Sequence, residues 1–131
     1  MIMMDDPLLM ACVQAAQGKK AYDILVMDMR KLTSIADYFL LCSARSSRQV
    51  KAIAEHVQEE LRKAQFRPIG VEGLTENHWV LIDYGDVVFH IFYEPIRKLY
   101  NLEGLWRDAP VERIEDVSGQ PEGDFNDEAD E

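Results

Sequence analysis

The sequence has few cysteines and lacks both an excess of positive charge and a long apolar segment. Its two cysteines, Cys12 and Cys42, show neither metal-site nor redox-motif spacing, so we expect buried, reduced thiols. No apolar run reaches the roughly 20 residues that cross a bilayer. The N-terminus lacks the basic start of a secretory signal and the Arg/Ser richness of a transit peptide. The sequence therefore predicts a cytoplasmic protein without a membrane segment.

Negative charge is concentrated at the C-terminal end of the chain. The net charge is -10, but the last 20 residues hold nine of the 24 acids and one of the 14 bases. The first 111 residues hold 15 acids and 13 bases and are therefore nearly neutral. Binding to a phosphate backbone needs a concentrated Lys/Arg surface, so we expect no direct nucleic-acid readout. A basic partner protein fits better, because the acidic end would attract it and repel bare nucleic acid.

The periodicity of the apolar residues predicts one mixed α/β domain at residues 1–111, with helices packed on a β-sheet. An acidic and disordered tail is predicted at residues 112–131. Three helices are predicted, at residues 7–18, 47–65 and 94–100, and Asp5 or Asp6 can cap the first of them. Ser46 and Gln49 have the spacing of a capping box at the start of the second helix.

Five short apolar runs predict the strands of the sheet. They lie at residues 23–28, 38–42, 66–72, 79–84 and 87–93. Pro68 favours an edge position for the third strand, because proline cannot donate a ladder hydrogen bond. Gly85 and Asp86 separate the last two runs and predict a tight hairpin. Leu102, Leu105 and Trp106 are expected to anchor the end of the fold.

The sequence lacks the patterns of common catalytic sites. There is no Gly-x-Ser-x-Gly elbow, and Cys42 lies in an apolar strand that would leave its thiol inert. His56, His78 and His90 fall on a helix, a loop and a strand without metal-ligand spacing. No Gly-rich dinucleotide or Walker motif is present. Residues 43–48 precede a helix and could hold an anion, but we favour a role as helix caps.

A metal-dependent nucleotidyltransferase would fit the predicted order of strands and helices. Such an enzyme needs two carboxylates on one strand face, in an Asp-x-Asp or Asp-x-Glu spacing. No such pair follows residues 43–47, and Asp83 and Asp86 are three positions apart across a turn. The sequence therefore predicts the scaffold without the metal site.

The predicted hairpin is apolar on both faces. On its second strand Val87, Phe89, Ile91 and Tyr93 alternate with Val88, His90 and Phe92. Either helices cover both faces, or one face is left for a partner. Aromatic and arginine side chains in a polar rim are typical of interface hot spots. Trp79, Tyr84, Arg97 and Tyr100 would supply the anchors, and Asp83, Asp86 and Glu103 the rim.

Several separated segments of the chain resemble the Iojap family, the ribosomal silencing factors RsfS. They are Gly-Val-Glu-Gly at residues 70–73, the run from Trp79 to His90, the run from Arg97 to Trp106, and the segments at residues 37–42 and 46–50. The similarity covers residues 8–109. Ala44 stands where the family pattern has a glycine, which affects the flexibility of a loop.

The resemblance implies a nucleotidyltransferase-like fold that lacks the catalytic carboxylates, and a protein that is not an enzyme and has no cofactor. It implies binding to the large ribosomal subunit through ribosomal protein L fourteen, where the protein would block subunit joining and lower translation under nutrient limitation. Homodimers of the family would cover the same apolar surface away from the ribosome. The partner-binding residues expected within the matching motifs are Trp79, Asp83, Tyr84, Asp86, His90, Arg97 and Tyr100.

Two other functions stay open on the residues alone. A nucleotidyltransferase-type enzyme would bind nucleotide and magnesium without ribosomes. A dimeric adaptor would recognise some other protein. Co-sedimentation with isolated large ribosomal subunits separates both from a silencing factor.

Overall fold

The structure, a computed structural model, describes residues 6–115 as a six-stranded sheet with packed helices. The helices are α1 (Pro7–Gln17), α2 (Ser47–Lys63), α3 (Glu94–Tyr100) and α4 (Leu102–Leu105). The strands are β1 (Tyr22–Asp28), β2 (Tyr38–Ala44), β3 (Gly70–Glu72), β4 (Trp79–Asp83), β5 (Val87–Tyr93) and β6 (Val111–Ile114). Within residues 6–115 no helix combines the length and apolarity needed to span a bilayer.

The sheet is mixed, with the strand order β3-β4-β5-β2-β1-β6. The central strands β2 and β5 pair in parallel, and the other four neighbouring pairs are antiparallel. Every residue of β2 is buried, as is all of β5 except Tyr93. The predicted mixed α/β fold is confirmed. β3 lies at the edge of the sheet, as predicted, but it spans only Gly70–Glu72, so the predicted strand at residues 66–72 was too long and Pro68 lies outside it.

The two long helices begin at the caps that the sequence predicts. Asp6 Oδ1 accepts hydrogen bonds from the backbone N–H groups of Leu8 and Leu9, at 2.9 and 3.1 Å. Ser46 Oγ accepts from the backbone N–H of Gln49 at 3.1 Å. The reciprocal bond differs from an ideal capping box, because Gln49 Oε1 accepts from the N–H of Arg45. Of residues 43–48, Ser46 is the helix cap, whereas Ser43 Oγ accepts a hydrogen bond from Arg97 Nη1.

Side chains on alternate positions of the strands build two separate cores. On one side α1 and α2 cover residues such as Leu40, Phe89 and Ile91; we call this the helical face. On the other side Phe39, Phe92 and their neighbours lie under the segment that contains α3 and α4. We call this second side the aromatic face, because ring contacts dominate it.

Two elements near the C-terminus, α4 and β6, were not predicted. β6 pairs with β1 in the register Ile24↔Ile114 to Met27↔Val111, so residues 112–114 belong to the sheet. The prediction that the disordered tail starts at residue 112 is therefore wrong, and the sheet extends the domain beyond residue 111. The predicted tail from residue 116 onwards lies outside the described residues. Leu105 was expected to anchor the fold, but it ends α4 with 70% exposure.

Candidate protein-binding surface

Three of the seven predicted contact residues meet on the aromatic face, around the indole ring of Trp79. Trp79 starts β4, and its Nε1–H donates to His90 Nδ1 on β5 at 3.1 Å. The indole stacks on Phe92 and lies against Tyr100 at the end of α3, with both ring centroids 4.9 Å away. Aromatic pairs at such distances stabilise a fixed ring geometry. Trp79 is therefore held on three sides while it stays partly exposed.

His90 supports this cluster from inside the core. Its side chain is 4% exposed, and burial lowers the pKa of its imidazole from 6.5 to about 4. The ring is neutral at neutral pH, so Nδ1 can accept from the indole, which can only donate. The proton then sits on Nε2, which has no hydrogen-bond partner within residues 6–115. His90 thus positions Trp79 and has no surface of its own.

The exposed part of this face continues along β4 towards the edge of the sheet. Leu81 and Asp83 share a side with Trp79, because residues two apart in a strand point the same way. Both are partly buried. Glu72 on β3 is exposed and pairs with Leu81, which places it on the same side. Sequence reasoning missed Leu81 and Glu72, although the two-residue alternation from Trp79 identifies the first.

Tyr84 lies on the opposite side of the sheet from Trp79. It is 9% exposed in the core of the helical face, and its hydroxyl has no partner in the described part of the chain. Burial raises the pKa of this phenol. The sequence-based assignment of Tyr84 to a contact surface does not agree with this burial. The reason is the strand alternation that places Val80, Ile82 and Tyr84 together.

Asp83 and Asp86 lie at the turn of the hairpin. Asp83 Oδ1 accepts from the N–H of Gly85 at 2.8 Å, and Gly85 adopts a φ of 91°. Asp86 is exposed, and its carbonyl oxygen accepts from the N–H groups of Asp37 and Tyr38. Asp83 is four positions after Trp79 on β4, which corresponds to about 13 Å at 3.3 Å per residue. Asp83 on the aromatic face and the exposed Asp86 in the turn give this end of the hairpin two carboxylates.

Comparisons with known proteins identify the family of the chain. The family model described as "Ribosomal silencing factor during starvation" matches residues 4–131. The ribosomal silencing factor RsfS of Bacillus subtilis is 42% identical over 104 residues, covering 79% of this chain and 88% of that protein. The chain belongs to the ribosomal silencing factor family. The RsfS of Halalkalibacterium halodurans is 40% identical over 115 residues, covering 88% of this chain and 98% of that protein.

Plant and solved relatives extend the family comparison. The chloroplast protein Iojap of maize is 35% identical over 108 residues, which cover 82% of this chain and 47% of that protein. A crystal structure of a Chromobacterium violaceum protein superposes with a TM-score of 0.76 at 36% identity, covering 80% of this chain and 88% of that one. A crystal structure of a Bacillus halodurans protein superposes with a TM-score of 0.73 at 36% identity, covering 82% of this chain and 97% of that one. The resemblance drawn from the sequence motifs is confirmed.

Arg97, within the closing motif of this family member, is a structural residue. Its side chain is buried, and Nη1 donates to the carbonyl oxygen of Asp23 and to Ser43 Oγ at 2.6 and 2.8 Å. Nε and Nη2 donate to Glu103 Oε2 at 3.2 and 3.0 Å. These bonds tie α3 to β1, β2 and α4. The guanidinium therefore fixes the segment that carries Tyr100, and its burial does not agree with a direct contact role.

Both cysteine side chains lie in the core of this silencing-factor fold. Cys12 and Cys42 are fully buried, and burial raises the pKa of each thiol to about 12. Within residues 6–115 the structure contains no grouping of three His, Cys, Asp or Glu side chains that could hold a metal ion.

Proposed function

We propose that this chain binds the large ribosomal subunit through ribosomal protein L fourteen. Bound there, it excludes the small subunit sterically and represses translation when nutrients are limited. It acts in the cytoplasm by binding, without catalysis and without a cofactor. Membership of the ribosomal silencing factor family is the observation that carries this proposal.

The aromatic face supplies the binding surface in this proposal. Tyr100 is 55% exposed and lies against the half-buried Trp79, with Leu81 beside them. A fixed aromatic pair loses little conformational entropy on binding, and tyrosine and tryptophan are enriched among interface hot spots. Trp79 and Tyr100 are therefore the proposed anchors.

Acidic residues at the border of this face favour a basic partner. Glu72 lies on β3 and Asp83 on β4, and Asp86 lies in the turn between β4 and β5. Ribosomal proteins are basic, and complementary charge increases the association rate and fixes orientation. We assign the direct contacts to Trp79, Asp83, Asp86 and Tyr100. His90, Arg97 and Tyr84 contribute by holding the scaffold.

Co-sedimentation and subunit joining test the function as a whole. Purified chain is mixed with isolated large subunits on a sucrose gradient, and small subunits are then added under conditions that favour joining. We expect the chain to migrate with the large subunit and the peak of joined ribosomes to shrink. Normal joining in a saturating amount of the chain contradicts steric exclusion, and no co-migration contradicts ribosome binding.

A matched pair of variants tests the surface. Tyr100→Ala removes an anchor of the aromatic face, whereas Val111→Ala removes an equally exposed apolar side chain on β6 at the far edge of the sheet. Both residues are 55% exposed, so both variants should keep their thermal stability. We expect Tyr100→Ala to weaken large-subunit binding at least tenfold, about 1.4 kcal/mol, and Val111→Ala to bind normally. Equal binding by both variants places the contact elsewhere.

The identity of the partner protein is tested by cross-linking. Cys12 and Cys42 have 0% exposure, so the variant Glu72→Cys carries a reactive thiol at the border of the aromatic face. A short thiol-to-amine cross-linker on the large subunit should capture ribosomal protein L fourteen. Capture of a different ribosomal protein overturns that part of the proposal and leaves ribosome binding intact.

The same surface supports a homodimer away from the ribosome. An exposed aromatic and apolar patch favours burial against a second copy when no larger partner is present. Sedimentation velocity should show a dimer that Tyr100→Ala weakens and Val111→Ala preserves. Added large subunits should convert the dimer to bound single chains, and a dimer that Tyr100→Ala does not affect contradicts a shared surface.

A further inference from the structure

One residue, Asn101, ends α3 and begins α4. Its backbone lies in the left-handed region, with φ 52° and ψ 60°, which asparagine tolerates better than most residues. Its N–H donates to the carbonyl oxygen of Arg97 at 2.9 Å and closes the last turn of α3. Its Oδ1 accepts from the N–H of Gly104 at 3.1 Å and caps α4. The backbone and the side chain of Asn101 therefore fix the angle between the two helices.

Gly104 provides the space that this cap needs. A Cβ atom at position 104 would clash with Asn101 Nδ2 and lie 3.0 Å from Asn101 Cγ, and its three nearest atoms would all belong to the Asn101 side chain. Any larger residue would therefore push the Asn101 amide away from the N–H that it caps. The requirement for glycine at position 104 is thus a consequence of the asparagine at position 101.

The turn at Asn101 places two aromatic rings on the aromatic face. Tyr100, the residue before it, lies against Trp79 with the ring centroids 4.9 Å apart. Trp106, which follows α4, lies edge-on to Phe39 with the ring centroids 6.1 Å apart. Packing alone does not fix this end of α3, since Tyr100 is 55% exposed and Asn101 is exposed as well. The conformation of the turn therefore contributes to the position of the Tyr100 ring.

We propose that Asn101 and Gly104 are positioning residues for partner binding. Together they hold the ring of Tyr100 against Trp79 in the geometry that a partner protein recognises, and they act through Tyr100 without contacting the partner. The inference rests on the proposed function, in which Tyr100 is an anchor of the aromatic face. The position of the ring can nevertheless be measured in the free chain, so the two can fail separately.

Asn101→Ala tests the turn, and Gln65→Ala is its control. Gln65 follows α2 with a φ of 71°, so alanine is unfavourable at both positions for the same reason. α2 covers the helical face, so a change at its end does not reach Tyr100. Both variants should lose stability in urea denaturation. Only Asn101→Ala should lose the nuclear Overhauser effects between the rings of Tyr100 and Trp79 and bind large subunits about tenfold more weakly.

The conservative variant Asn101→Asp should restore both measurements, because aspartate tolerates the left-handed region and offers an oxygen to the N–H of Gly104. Native-like ring contacts in folded Asn101→Ala, or equal large-subunit binding by Asn101→Ala and Gln65→Ala, overturn the positioning role. If the native chain itself does not migrate with large subunits, the proposed function fails, and the Overhauser effects alone decide the inference.

A double-mutant cycle tests the coupling between Asn101 and Gly104 in chains that keep the turn. Glycine accepts the left-handed backbone, so Asn101→Gly removes only the amide side chain. Gly104→Ala in the native chain should weaken large-subunit binding several-fold, because the methyl group displaces that amide. In the Asn101→Gly background the same change should have no further effect. Equal losses in both backgrounds show that the two residues act independently and overturn the proposal.

Discussion

The two faces of the sheet use the same strands for different purposes. On the helical face, α1 and α2 cover side chains such as Phe89 and Ile91 completely. On the aromatic face, α3 and α4 cover the strands in part, and Trp79 and Tyr100 stay accessible. Because neighbouring residues of a strand point to opposite faces, a change at one position can affect stability while a change at the next affects recognition.

The largest expected effect is on the helical face. Phe89→Ala removes a fully buried ring between the sheet and the helices and should reduce the free energy of unfolding by about 3–5 kcal/mol. Urea denaturation measures the loss. The matched change Tyr100→Ala, on the aromatic face, should cost less than about 1 kcal/mol. Comparable losses for both variants would remove the distinction between the faces.

Trp79→Phe tests how the aromatic face is held together. Phenylalanine retains the ring contacts but removes the indole N–H, which leaves buried His90 Nδ1 without its donor. We expect a loss of about 2 kcal/mol in unfolding free energy. Trp106→Phe is the control, because Trp106 lies on the same face with its ring 6.1 Å from the Phe39 ring, and its indole nitrogen has no hydrogen-bond partner within residues 6–115. Similar losses from the two changes would show that the N–H contributes little.

His90 gives stability a dependence on pH. The pKa of His90 is about 4 in the folded chain and near 6.5 when unfolded, so the unfolded state binds more protons between these values. Its contribution is fully present above pH 6.5 and is lost as the pH falls towards 4. Between pH 6.5 and 5 the loss should be on the order of 1–2 kcal/mol.

The variant His90→Gln should remove this slope in urea denaturation over the same range. Titration of Asp28 does not contribute to the pH dependence of stability in this range. Arg30 lowers the pKa of Asp28 from 3.8, so its contribution is lost at more acidic pH. An unchanged slope in the variant assigns the pH dependence to a different group.

The smallest effect is expected at Tyr84. Tyr84→Phe removes a buried hydroxyl that has no partner among the described residues, so stability should change by less than about 1 kcal/mol and can increase. Large-subunit binding should be unchanged, since this side chain belongs to the helical face. Weaker binding by an equally stable variant would show that Tyr84 contributes to the contact surface.

Local patterns in the sequence predict most of the fold. The caps at Asp6 and Ser46 set the helix starts, and the apolar runs on either side of Gly85 give the hairpin. β6 was missed for a physical reason. It is four residues long with two charged side chains, and its partner β1 lies about ninety positions earlier in the chain. A pairing so distant leaves no periodic signal in the local sequence.

The candidate site could be predicted only in part. Residue type alone favoured Trp79 and Tyr100 as anchors, and the structure brings them together. Applying the two-residue period from Trp79 would have placed Tyr84 on the opposite side. The role of Arg97 could not be inferred, because its hydrogen bonds reach residues 54 and 74 positions away, which only the tertiary fold brings near.

The short strand β6 also has a consequence for self-association. β1 contains four consecutive buried apolar residues, and without β6 its outer backbone groups would be open to another chain. β6 occupies this edge and presents Val111 and Arg113 to solvent, so strand-by-strand growth from β1 is blocked. Pairing of β6 with β1 thus disfavours aggregation through the β1 edge, and a chain truncated before Val111 would expose that edge.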